Sequence, residues 1–114
     1  MATLSAIYSP ARAGEVDVLA VAISETSAGV YRFDVTLGHA DEGWEHYADA
    51  WEVLGPDGAV LARRVLLHPH VDEQPFTRGL GGVALPAGLG RVTLRGHDSV
   101  HGYGGIELTV ELPK

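Results

Sequence analysis

The fragment His68-Pro69-His70, within "LLHPHVDEQPF" (residues 66–76), sets two imidazoles around one proline, with Asp72 and Glu73 close behind. Residues i and i+2 of an extended segment face the same way, and a proline biases the residue before it toward extended backbone, so His68 and His70 form a candidate chelate. Imidazole suits Zn, Cu, Ni or Fe, and a carboxylate such as Asp72, Glu73 or Asp98 can ligate beside it or orient a ring through its second nitrogen. A second fragment, "GHDSVHGYGG" (96–105), adds His97, Asp98 and His101. The expected metal ligands are therefore His68, His70, His97 and His101, with His46, Asp72, Glu73 and Asp98 as secondary candidates and Zn, Cu or Ni as the ions. Both fragments also have an ordinary structural use. The histidines can cap a strand end, and Asp98 can build an Asx-turn whose glycines return the chain.

Composition removes most other chemistries. With no cysteine, disulfides, thiolate nucleophiles, zinc fingers and iron–sulfur ligation are excluded, and any metal must use His, Asp or Glu. "GYGG" precedes no helix and no Lys-Ser/Thr pair, so it is not a phosphate loop. Ser99 beside Asp98 does not make a catalytic triad, because adjacency is not the required geometry. A net charge of −7, from eight basic and fifteen acidic residues, gives no footprint for nucleic acid or an anionic membrane surface. No apolar run approaches the roughly 20 residues that span a bilayer, and the first residues lack a signal-peptide pattern, so a cytoplasmic protein is expected.

The elements that must position these residues read as strands. A chain of 114 residues, 46% hydrophobic and 20% charged, has the composition of one ordinary globular domain. Period-two alternation recurs along it. Tyr31, Phe33, Val35 and Leu37 share a face; so do Val92 and Leu94, and so do Ile106, Leu108, Val110 and Leu112. Leu19, Val21 and Ile23 do the same near the start, although the alanines of 11–22 also allow a short helix. "GPDG" (55–58) makes a hairpin from 46–54 to 59–67, and "LPAGLG" (85–90) is a second turn. The expected fold is an all-β, immunoglobulin-like antiparallel sandwich of about seven to eight strands, with Trp51 between the sheets.

If strand directions alternate, the connections 39–45, 68–75 and 98–104 fall at one end of the sandwich. All six histidines, His39, His46, His68, His70, His97 and His101, lie in or beside these connections. Trp44, Tyr47, Tyr103 and Arg78 belong to the same end and form a candidate interaction surface, since amphipathic aromatics suit interfaces. Asp49 falls on the inward parity of its strand, where Arg78 is a candidate partner.

The wording "LLHPHVDEQPFTR" followed by "HDSVHGYGG" resembles a family of small uncharacterised bacterial proteins over roughly residues 30–112. The resemblance implies a compact β-sandwich and brings no activity, ligand or catalytic residue with it. The functional expectation is a small binding module whose histidine-rich end takes a divalent transition metal or small ligand. The alternatives are a metal-free protein-interaction module using that end, and a metal-assisted hydrolase, which needs three protein ligands, an open position and a nearby acid or base.

Overall fold

A computed structural model describes residues 14–113. Seven antiparallel strands are present: β1 (Asp17–Ser27), β2 (Val30–Gly38), β3 (Ala48–Leu54), β4 (Val60–Val65), β5 (Phe76–Ala84), β6 (Arg91–Asp98) and β7 (Leu108–Glu111). They form two sheets, β1-β2-β5 and β4-β3-β6-β7, packed face to face. This order corresponds to strands A, B, E and C′, C, F, G of an immunoglobulin-like sandwich.

Alternation decides which side chains meet between the sheets. Phe33, Val35 and Leu37 of β2 face Trp51 and Val53 of β3 and Val92 and Leu94 of β6, and all of them are buried. Each large apolar side chain removed from water in this way contributes about 1.5–3 kcal/mol. The β3–β4 hairpin forms around "GPDG" as its turn chemistry requires, with Trp51 opposite Arg64 and Val53 opposite Ala62.

Two strands depart from the simple pattern. A register shift between Val18 and Ala20 changes the parity of β1, so Val16 and Val18 enter the core ahead of the expected Leu19 face. The last strand is shorter than its alternation suggests. The carbonyl of Ile106 accepts from the N–H of Val18, and the N–H of Ile106 donates to Asp17 Oδ1, which ties this segment to β1 instead of β6. Gly96 makes room for the crossing: a Cβ there would stand 2.3 Å from Val16 Cγ1. The segment from Gly14 to Val16 can therefore lie across β6 and reach the histidine-bearing end.

The three connections at that end are bonded to one another. The N–H of His39 donates to Gln74 Oε1 at 3.0 Å, Gln74 Nε2 donates to the His70 carbonyl at 2.9 Å, and the N–H of Ser99 donates to the Tyr47 carbonyl at 3.0 Å. At the opposite end the N–H of Leu85 donates to the Gly29 carbonyl at 3.0 Å.

Candidate metal centre

Two strands deliver ligands by running one step past their last core residue. The inward parity of β2, Phe33, Val35 and Leu37, continues to His39, and that of β6, Val92, Leu94 and Gly96, continues to Asp98. Both side chains are fully buried. His46, entering β3, completes the group. Among the described residues, His39, His46 and Asp98 are the one set of three or more such side chains whose ligand atoms could share an ion, all lying within 4.8 Å of one another.

The atoms that converge are specific. His39 Nε2 and His46 Nε2 both approach Asp98 Oδ2, the second at 2.7 Å. The carbonyl oxygen of Gly14 lies 3.2 Å from the first ring nitrogen and 3.3 Å from the other. The opposite edge of each ring is held by a carboxylate: Asp41 Oδ1 contacts His39 Nδ1, and Glu42 Oε1 lies 2.7 Å from His46 Nδ1. Each of these pairings holds its ring by Nδ1 and turns Nε2 inward. Metal-binding histidines are oriented by this same carboxylate–imidazole pairing.

The result is a concave set of Lewis bases. Asp98 Oδ2 is buried and faces the two imidazole nitrogens, whereas Asp98 Oδ1 accepts from the N–H groups of Val100 (2.6 Å) and His101 (2.7 Å). A buried carboxylate is costly unless positive charge or donors neutralise it, and two imidazoles and a carboxylate at one point are also the ligands of a cation. The donor set therefore fits a divalent ion. Burial pushes the Asp98 carboxyl up, but the backbone N–H groups of His101 and Val100 and the two histidines outweigh it and hold the group below its ordinary value. The Glu42 carboxylate, against the opposing effect of burial, raises the His46 imidazole above its ordinary value.

The residues expected from the sequence divide among three places. His101 stands at the rim of the centre, with its ring centroid 4.9 Å from that of His46 and its Nδ1 3.3 Å from Asp98 Oδ1. His97 points to the outer face of its sheet, where Nδ1 bonds Asp49 at 2.5 Å and the ring meets Tyr103 edge-on. The Asp49–Arg78 pair does not form; Arg78 bonds Glu73 at 3.1 Å, because Asp49 leaves the inward parity at the register shift between Ala48 and Ala50. His68 and His70 lie ring against ring in a separate cleft with Trp44, Asp72 and Glu73. Their loop is tied to the centre through backbone bonds: the N–H of His70 donates to Asp41 Oδ2 at 2.6 Å, and the N–H of His39 donates to Gln74 Oε1. The four primary ligands read from the sequence therefore do not meet at one point.

Of the cluster, His39 is not among the ligands that spacing suggests, and His46 and Asp98 are only secondary candidates; Asp41, which holds the His39 ring, is not among them either. The signal for His39 and Asp98 was strand parity: they occupy the next inward position after Leu37 and Gly96. Trp44 is 65% exposed and packs edge-on against Tyr47, while Tyr103 is half-exposed on the outer sheet face.

No family model matches the chain. It is 41% identical over 97 residues to a protein of Halomicrobium mukohataei named "Putative lipoprotein", a match that spans 85% of this chain and 47% of that protein. The chain thus spans about half the length of the curated relative it matches. A hypothetical protein of Pyrococcus horikoshii OT3 shares the fold, with a TM-score of 0.57 and 17% identity across 90% of this chain and 95% of that one. The relative corrects the expectation of a cytoplasmic protein, since a lipoprotein name points to a secreted or membrane-anchored one. It is archaeal, so the bacterial origin implied by the resemblance is not supported.

Proposed function

We propose that this chain is a metal-binding module that holds a divalent first-row ion through His39 Nε2, His46 Nε2 and Asp98 Oδ2, with His101 at the accessible side. The observation that carries the reading is the convergence of His39 Nε2, His46 Nε2 and the fully buried Asp98 Oδ2, with each ring held from behind by a carboxylate. Two histidines and one carboxylate form a donor set used for Fe(II) with open positions and, with a fourth ligand, for zinc. Three buried or half-buried ligands beside an exposed rim leave a position for solvent or a small ligand. An ion bound there would supply Lewis-acid or one-electron chemistry at that position. The relative's name favours placing the module outside the cytoplasm, as part of a longer anchored protein.

Calorimetric titration of chelator-treated protein with Zn²⁺, and with Fe²⁺ under anaerobic conditions, tests the assignment. The expected outcome is saturable binding that loses one equivalent in His46→Ala. Identical isotherms for the two proteins would overturn it. Trp44 carries a second reading, an interaction surface at the same end, because an indole left 65% exposed offers the kind of amphipathic ring that interfaces favour. Trp44→Ala should leave the metal isotherm unchanged.

A further inference from the structure

We propose that the imidazoles of His68 and His70, in the cleft that Asp72 also lines, are a two-histidine second metal site, suited to an imidazole-preferring ion such as Cu(II) and distinct from the centre at His39, His46 and Asp98. His70 is 5% exposed, and neither of its ring nitrogens has a hydrogen-bond partner. An imidazole has both a donor and an acceptor to satisfy or, as a ligand, a lone pair to give, so a buried ring with both nitrogens bare calls for a partner from outside the fold. The ring is fixed in place without using either nitrogen, because it stacks on Phe76 with centroids 4.0 Å apart and planes 13° from parallel.

The second imidazole stands where a chelate needs it. The His68 and His70 centroids are 4.6 Å apart. Two imidazoles bound cis to one ion at about 2.0–2.1 Å hold their centroids roughly 4.5–5.2 Å apart. His39 and His46, which converge on Asp98, are 4.9 Å apart by the same measure. His68 Nδ1 lies 3.1 Å from the Pro69 carbonyl, which leaves its Nε2 for a ligand, and His68 is exposed and free to close over the ion.

Charge agrees with a cation. Asp72 and Glu73 line the same cleft; Glu73 is taken by Arg78, and Asp72 has no salt-bridge partner among the described residues. Copper(II) binds nitrogen donors most tightly among the divalent first-row ions, which makes it the probe of choice.

Equilibrium dialysis against Cu²⁺, with stoichiometry read by elemental analysis and ligation by nitrogen couplings in the electron paramagnetic resonance spectrum, tests the site. Two equivalents are expected for the wild type, one for His68→Ala and one for His46→Ala. His68 is exposed, so its removal leaves the core intact, and unchanged circular dichroism establishes that. A His68→Ala protein that takes as many equivalents as the wild type would overturn the second site, whatever His46→Ala does. Loss of an equivalent in His68→Ala alone would uphold the second site and overturn the reading given for the first.

Discussion

Asp98 performs two jobs with two oxygens, and a single-atom change separates them. Oδ1 accepts from the N–H groups of Val100 and His101 and builds the turn that starts the 98–104 connection, whereas Oδ2 faces the two imidazoles. Asp98→Asn retains an oxygen for the turn and replaces the ligand oxygen with an NH₂ group. The variant should fold with a denaturation midpoint near that of the wild type and lose at least 100-fold in metal affinity, on the order of 3 kcal/mol. Asp98→Ala should lose the affinity and destabilise the fold as well, by about 1–3 kcal/mol for the two N–H groups left without an acceptor. Equal affinity of Asp98→Asn and wild type would show that Oδ2 is not a ligand. This division of labour was half legible in the sequence. The Asx-turn followed from Asp98 standing before a glycine-rich return, but His97, one residue earlier, was read as the ligand. Parity decides between neighbours: β6 sends His97 outward to Asp49 and Asp98 inward to the centre.

At the scale of elements, the outer face of the four-stranded sheet is held by Glu52 of β3, which is only 3% exposed despite its outward parity. Arg95 of β6 and Arg63 of β4 donate to its two oxygens, and Tyr103 donates its hydroxyl at 3.0 Å. The Arg95 guanidinium also lies 3.7 Å from the Tyr103 ring centroid. One carboxylate thus joins three strands to the connection that carries His101. Burial pushes the Glu52 carboxyl up, but the bonds from Arg95, Tyr103 and Arg63 outweigh it and hold the group below its ordinary 4.5. A carboxyl depressed in the fold contributes stability above its unfolded value, and that contribution is lost as pH falls through the lower folded value. Glu52→Gln should therefore cost about 1–3 kcal/mol at pH 7, and the difference from wild type should shrink below about pH 4.5. Urea midpoints measured from pH 7 to pH 3 check this, and a difference independent of pH would sink it. The strand itself was plain from alternation around Trp51. The burial of Glu52 was not, because it depends on long side chains from both neighbouring strands lying over it, and sequence spacing says nothing of cross-strand partners.

For the whole molecule, the topology gathered the candidate ligands more reliably than any motif did. Alternating strand directions placed 39–45, 68–75 and 98–104 at one end, and hydrogen bonds from His39 to Gln74 and from Ser99 to Tyr47 show that they meet there. What topology could not supply was the choice among six histidines, which depends on register shifts and on which ring edge a carboxylate holds. The same gathering makes metal binding a property of the fold. The ligands come from the ends of β2 and β6 and the entry to β3, so they converge only when both sheets are paired, and an ion bound there stabilises the native state over the unfolded chain. At 100 times the dissociation constant the gain is about 2.7 kcal/mol. A chain of this size shifts its melting temperature by roughly 4–8 °C per kcal/mol, so saturating metal should raise it by about 10 °C or more, and a chelator should reverse the rise. The shift should fall to the share of the second ion in Asp98→Asn and persist, reduced by that share, in His68→Ala. A metal-induced shift of the same size in Asp98→Asn would mean that the ion binds elsewhere on the fold, and would return His39 and His46 to the role of buried polar groups tied only to their carboxylates.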